Sequence, residues 1–257
     1  MTTLAFDDTG GSGPLLVLLP GAGDVRSEYR FLAATLAADG YRIVTADLPG
    51  HGDSPLASEY TVESTGRALV DLVDILDAGP AVVVACSFAP TAAVWAATIR
   101  PELIAGIVAL SPHFDADEST KGRMMNLAIR GMLRGPWAGG LWAKLYAAWY
   151  KTNPPSDLET EIERMRVMLA DPARRKAVRD TLTAARDGVA AQMERLAVPT
   201  LTVFGSADDH FADPVAEAAE VAGRLGGEHL VVKGAGHYPH VEQPQVVADA
   251  IRSFLDR

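Results

Sequence analysis

The run Val82-Val83-Val84-Ala85-Cys86-Ser87-Phe88-Ala89 is a β-branched apolar segment that ends on a serine with an alanine two positions to either side. A short apolar run of this kind reads as a buried strand, and a serine between two small residues at its exit reads as a nucleophile elbow, where a strand turns sharply into a helix and lifts one side chain above the sheet. The turn brings neighbouring backbones close, so bulky side chains at the flanking positions would clash. Register selects the nucleophile. Centring the motif on Cys86 puts Val84 and Phe88 at the small positions, whereas centring it on Ser87 puts Ala85 and Ala89 there. Ser87 is the candidate and Cys86 a small apolar filler. The bland reading of the same residues is an ordinary buried strand end.

A serine needs a base to become a nucleophile, and the base needs a carboxylate to fix its tautomer and stabilise its charged form. Both residue types occur downstream at strand exits. Leu201-Thr202-Val203-Phe204-Gly205-Ser206-Ala207-Asp208 reads as a strand, a glycine turn and an acid, and Leu230-Val231-Val232-Lys233-Gly234-Ala235-Gly236-His237 repeats the pattern with a histidine. Three strand ends thus present Ser, Asp and His in that order.

With those residues in place the chain resembles the α/β-hydrolase superfamily over nearly its whole length. Leu15 to Gly23 (LLVLLPGAG) is similar to that family's first strand and oxyanion loop, Ala46 to Ser54 (ADLPGHGDS) to the loop after the next strand, Gly205 to Asp208 to the acid turn, and Gly236-His237 with Glu242 and Pro244 to the histidine loop. The order Ser, Asp, His is the order that fold uses. The resemblance implies an α/β-hydrolase fold: a mostly parallel sheet with helices on both faces and a helical cap inserted before the acid-bearing strand. It also implies a serine hydrolase with Ser87, Asp208 and His237 as catalytic triad and the backbone N–H groups of Ala22 and Phe88 as oxyanion hole, without cofactor or metal.

Other residues compete for these roles. Asp209 adjoins Asp208, but the family places its acid three residues after the glycine. His240 and His210 compete with His237, which alone has the Gly-x-Gly lead-in; His51 reads as part of a structural turn, and His113 as facing either pocket or solvent. The chain also departs from the family pattern, with Pro20 where many members have histidine before the oxyanion glycine, and Ala85 and Ala89 where the elbow normally has glycine. A serine nucleophile sets aside the epoxide hydrolases and haloalkane dehalogenases of this fold, which use aspartate. Hydrolysis of a small to medium apolar ester or lactone is expected; the alternatives are a carbon–carbon bond hydrolase, a thioesterase, or a ligand-binding homologue with slow or no turnover.

The pattern along the chain agrees with the resemblance. Strands near Leu15–Leu19, Arg42–Ala46, Ala81–Cys86 and Ile104–Leu110 alternate with helices near Ser27–Ala38, Thr61–Asp77 and Pro90–Ile99, as a parallel sheet covered by helices requires. From Ser111 to Ala197 strand patterns vanish, with helical stretches at Leu158–Ala170 and Pro172–Ala185, and a final helix is expected over Pro244–Leu255. The expected core is residues 1–114 with 199–257, and the expected cap 115–198. That cap holds three of the four tryptophans and six of the seven methionines. Trp137, Trp142, Tyr146, Met125 and Met132 are the candidates to line an apolar pocket, against the plainer reading that they fill the cap's own core. Gly131 to Leu141 reads as a mobile or tightly turned gate.

The 257 residues carry a net charge of −10, which argues against a nucleic-acid partner. Between Lys121 and Val198 there are 14 Lys and Arg against 8 Asp and Glu, or +6, leaving 9 against 25, or −16, elsewhere. Arg174, Arg175, Lys176 and Arg179 read as solvated helix faces; Arg123, Arg130, Arg134 and Lys144 are the candidates to attract an anionic substrate. No apolar run approaches the roughly 20 residues that span a bilayer, and a lone cysteine with no secretory pattern at the start makes a cytoplasmic protein the expectation. A small-molecule substrate is the only partner implied, and oligomeric state is open.

Overall fold

Each apolar run becomes a buried strand because it is covered on both faces. The computed structural model describes residues 3–115 and 120–256, with the side chains of Lys121 and Gly122 excluded. Strands β1 (Phe6–Asp8), β2 (Leu15–Leu19), β3 (Arg42–Ala46), β4 (Ala81–Cys86), β5 (Ile104–Leu110), β6 (Thr200–Gly205) and β7 (Glu228–Val232) form one seven-stranded sheet in the order β1-β3-β2-β4-β5-β6-β7. All neighbours run parallel except β1, which pairs antiparallel with β3, Phe6 opposite Ala46. The chain is therefore of the α/β-hydrolase class anticipated from its motifs.

Alternation along β2 divides the core into two layers. Leu15, Val17 and Leu19 point to one face, where Leu69 and Val73 of α2 (Val62–Leu76) and Ala93 and Ala96 of α3 (Ala89–Ile99) cover them. Leu16 and Leu18 point to the other, under Leu32 and Leu36 of α1 (Arg30–Ala38) and the C-terminal helix. Local signals set the helix ends. Thr61 Oγ1 accepts the Ser64 N–H at 3.0 Å and Ser64 Oγ accepts the Thr61 N–H at 2.9 Å, a reciprocal cap that starts α2. Where one helix was expected from Ser27, a 3-10 turn at Arg26–Tyr29 precedes α1.

Among the described residues, five helices separate β5 from β6: α4 (Thr120–Met132), α5 (Ala138–Ala148), α6 (Leu158–Ala170), α7 (Pro172–Leu182) and α8 (Val189–Glu194). Residues 116–119, at the start of the expected cap, lie outside the described residues. Trp142 and Tyr146 of α5 and Met165 of α6 join the same apolar cluster as Leu16 and Leu18. The expected gate is narrower than the glycines suggested, because Gly139 and Gly140 lie inside α5, leaving a connection of residues 133–137. After β6 come α9 (Pro214–Leu225), β7, the single turn α10 (Pro239–Glu242) and α11 (Pro244–Leu255). Among the described residues no helix is long and apolar enough to cross a membrane.

The ends of β6 and β7 meet closely. A Cβ added to Gly205 would lie 2.1 Å from the carbonyl oxygen of Gly236 and 2.3 Å from that of Ala235, backbone atoms that cannot rotate aside. Overpacking costs about 1–3 kcal/mol, so Gly205→Ala should lower Tm by roughly 2–12 °C in calorimetry. An unchanged Tm would contradict this close approach.

Candidate active site

Ser87 leaves β4 with φ at 57°, the left-handed conformation of an elbow. For a residue with a Cβ that costs about 1–2 kcal/mol. Two backbone hydrogen bonds oppose it: Ser87 N–H donates to Leu110 O at 2.9 Å, and Ser87 O accepts the His113 N–H at 2.9 Å. Each is worth about 0.5–1.5 kcal/mol. Ala85 and Ala89 are fully buried on either side, so a larger residue has no room at either position. Pro90 sits in the first turn of α3, where its missing N–H is harmless.

Asp208 and His237 exit β6 and β7 beside each other. His237 Nδ1 lies 2.8 Å from Asp208 Oδ2, and both side chains are buried. The second carboxylate oxygen is also engaged: Asp208 Oδ1 is 2.9 Å from His210 Nδ1 and accepts the His210 N–H at 3.1 Å. The two imidazoles lie 4.1 Å apart, and the His113 ring is 5.6 Å from that of His237. Since His113 also donates its N–H to Ser87 O, it links the elbow to the histidine. The histidine loop is held by Glu242, whose carboxylate accepts Gly236 N–H at 2.6 Å and the N–H groups of Lys151, Thr152 and Asn153 at 3.2, 2.7 and 3.0 Å. The residues after α5 and the loop bearing His237 thereby share one buried acceptor.

Electrostatics follow from burial. Burial alone would raise the Asp208 pKa, but the two imidazoles outweigh it and hold the carboxyl well below its ordinary range. Burial lowers the His237 pKa; Asp208 opposes the shift and His210 adds to it. His237 is thus neutral at pH 7, and the 2.8 Å contact fits the tautomer whose Nδ1–H is donated to Asp208.

A model of the alpha/beta hydrolase family matches residues 16–250. The chain belongs to this family. Lipase LipV of Mycobacterium tuberculosis is 30% identical over 226 residues, covering 83% of each chain. A thermophilic esterase from Thermogutta terrifontis superposes with a TM-score of 0.81 at 25% identity, over 98% of this chain and 93% of that one. A bromoperoxidase from Bacillus anthracis superposes at 0.84 with 15% identity, over 98% and 95%, a likeness of fold alone. This alpha/beta hydrolase is an enzyme of the hydrolase class.

Several sequence candidates take other places. Asp209 is 2.7 Å from Lys151 Nζ, away from the imidazole. His51 Nδ1 lies 3.0 Å from Pro49 O within its own turn, and burial brings its pKa down to about 4. His240 is fully buried beside Glu28. Of the expected pocket residues, Trp142 is buried so close to the turn after β2 that a Cβ on Gly23 would lie 2.2 Å from its ring. Tyr146 is buried 5.2 Å from the Tyr238 ring. Met132 is half-buried on the adjoining cluster, whereas Met125 and Trp137 are 56% and 57% exposed, the Trp137 indole folding over Gly135. The solvated Met125 and Trp137 therefore do not lie in the aromatic cluster beside the histidines. Arg123, Arg130, Arg134 and Lys144 are all exposed.

Trp149 and Tyr238 are the neighbours that sequence reasoning did not select. The Trp149 ring is 5.9 Å from His237 and 5.0 Å from His210, and that of Tyr238 5.3 Å from His237. Trp149 had been visible as a cap aromatic, but nothing in its spacing marked it over Trp137. A separate cavity of about 860 Å³ is lined by Arg26, Asp47, Asp53, Arg164 and Arg174, a charged surface that excludes the triad candidates. Among the described residues, two groups bring metal-capable atoms within 4.8 Å of one another, Asp208 with His210 and His237, and Glu28 with Cys86 and His240. In the first, hydrogen bonds to the carboxylate already engage both imidazole Nδ1 atoms.

Because His210 lowers the His237 pKa, removing it should raise that pKa. Imidazole NMR should place the His237 midpoint below the ordinary value of 6.5 in the wild type and move it upward in His210→Ala. A midpoint that stays fixed would contradict the electrostatic contact between the two rings.

Proposed function

We propose that this enzyme hydrolyses small to medium apolar carboxylic esters or lactones through a Ser87-His237-Asp208 triad and an acyl-enzyme. The observation that carries the reading is the buried Asp208–His237 contact at 2.8 Å; the left-handed turn of Ser87 fits a nucleophile elbow, and His113, bonded to Ser87 O with its ring 5.6 Å from that of His237, joins the two. In the mechanism, His237 Nε2 takes the Ser87 proton as Oγ attacks the carbonyl carbon. The same imidazolium, stabilised by Asp208, protonates the leaving alkoxide, and water then repeats the sequence on the acyl-enzyme.

The developing oxyanion requires donors oriented beforehand. The N–H groups of Ala22, in the turn after β2, and Phe88, directly after the elbow, are assigned that role. Trp142, Tyr146 and Trp149 are assigned to the roof of the substrate pocket, with α4 to α8 as its cap. Their apolar rings favour an apolar acyl or alkyl group on the substrate. The chemistry needs water and no cofactor. The lone, buried Cys86 keeps a cytoplasmic location in the reading.

Ser87→Ala should remove hydrolysis of p-nitrophenyl butyrate, by about 10⁴-fold or more, with Tm unchanged. Wild-type activity should fall as pH drops, since protonated His237 cannot act as base, with the midpoint below 6.5 because burial lowers its pKa. Full esterase activity in the alanine variant, or an activity midpoint above 6.5, would overturn the mechanism.

A further inference from the structure

Behind the turn that bears Ala22 lies a set of buried polar groups that the triad does not use. Glu28, on the 3-10 turn before α1, is fully buried, and its Oε2 accepts the Gly21 N–H at 3.0 Å. Its Oε1 is 2.8 Å from His240 Nε2. The Cys86 Sγ lies within 4.8 Å of this carboxylate and of the His240 ring nitrogen, Asp24 is buried close enough for the charge of Glu28 to raise its cost of ionising, and the Tyr29 ring stacks on His240 at 4.9 Å. One carboxyl group therefore lies beside the start of the oxyanion turn, the residue immediately before Ser87, and the histidine of α10.

We propose that Glu28 is a positioning residue for the oxyanion hole, fixing the Gly21–Ala22 peptide so that the Ala22 N–H faces the reacting carbonyl. The inference rests on the assignment of Ala22 as a donor, and the backbone geometry carries it. Asp24 N–H donates to Gly21 O at 3.1 Å, closing a turn over Gly21 to Asp24. In a trans peptide the C=O and the following N–H point in opposite directions, so holding Gly21 O toward Asp24 turns the Ala22 N–H outward. Glu28 holds the preceding peptide by its N–H, which leaves the Gly21–Ala22 unit restrained from both sides. The turn is already in contact with the nucleophile: a Cβ built on Gly21 would lie 3.3 Å from Ser87 Cβ and 3.9 Å from Glu28 Oε2.

Protonation suits this role. Burial pushes the Glu28 carboxyl up to about 7, and burial with the charge of Glu28 pushes Asp24 well above the ordinary carboxylate range. Burial lowers His240 to about 3, leaving it neutral. A carboxyl whose ionisation burial disfavours accepts the Gly21 N–H with less negative charge behind the site where an oxyanion forms. This chain has Pro20 where many relatives place a histidine, and Glu28 supplies a tie to the loop from a different element.

The test compares Glu28→Met, which keeps side-chain length but removes the acceptor, with Glu28→Gln, which mimics the protonated acid. Two readouts are taken: steady-state hydrolysis of p-nitrophenyl butyrate, and amide exchange at Gly21 and Ala22 by NMR against the β2 amides of Val17 and Leu18. The expected result for Glu28→Met is kcat lower by about 10²-fold with KM within threefold, and Gly21 exchange faster by about 10²-fold, the β2 amides unchanged. Glu28→Gln should recover most of both. A folded Glu28→Met with wild-type kcat and wild-type Gly21 exchange would overturn the proposal, as would a Glu28→Gln that loses as much as Glu28→Met. Faster Gly21 exchange without any change in kcat would overturn the assignment of Ala22 as donor while leaving Glu28 as the anchor of the turn. Should Glu28→Met fail to fold, Gly21 exchange in Glu28→Gln decides, protection as in the wild type being expected and its loss contrary.

Discussion

The left-handed backbone of Ser87 is the constraint on which the arrangement around it depends. A residue with a Cβ holds φ at 57° only where its surroundings fix it. Here the last residue of β5 and the loop after it do so, through Leu110 O and the His113 N–H. The alanines at positions 85 and 89 are fully buried, so the elbow holds two methyl groups where the motif usually has glycine. The central position of β4, between β2 and β5, then brings the elbow next to the turn after β2 on one side and the exits of β5 and β6 on the other.

Charge is distributed around that elbow in two unlike ways. On the β6 side an ionised Asp208 is buried among hydrogen bonds from two histidines, so the cost of desolvating the carboxylate is offset by paired donors. On the β2 side Glu28 and Asp24 are buried together, and burial pushes both carboxyls up from the ordinary carboxylate range. The first environment suits a group that must stabilise an imidazolium, the second one that must hold a backbone turn without repelling a developing anion. The enzyme's family relationship, over residues 16–250, fixes the sheet that makes both environments possible.

Most of the sheet was legible because its strands are covered on both faces and therefore read as unbroken apolar runs. β2, β3, β4 and β5 fall where their sequences place them, and α6 and α11 match to the residue. β1 was not legible: three residues, two of them aspartates, give neither alternation nor an apolar run, and the strand exists through its pairing with β3. The glycines near residue 140 misled in the other direction, since helix α5 absorbs two of them: Gly139 packs on Arg166 of α6, where an added Cβ would lie 3.4 Å from its Cα, and a Cβ on Gly140 would meet open space. The candidate triad was legible from three strand exits. His210, Trp149 and Glu28 were not, because their neighbours lie on other elements: the Asp208 carboxylate two residues back, the histidine loop, and the turn after β2. His240, weighed as a competing base, turns out to be the neighbour of Glu28, a pairing of residues 212 positions apart that no local pattern reveals.

The central claim is that Ser87 is an activated nucleophile, and it is tested most directly by intact and peptide mass spectrometry after exposure to a small fluorophosphonate, beside Ser87→Ala. The account predicts stoichiometric labelling of Ser87 in the wild type and none in the variant. A folded wild-type protein that remains unlabelled, or one labelled equally in the variant, would contradict it.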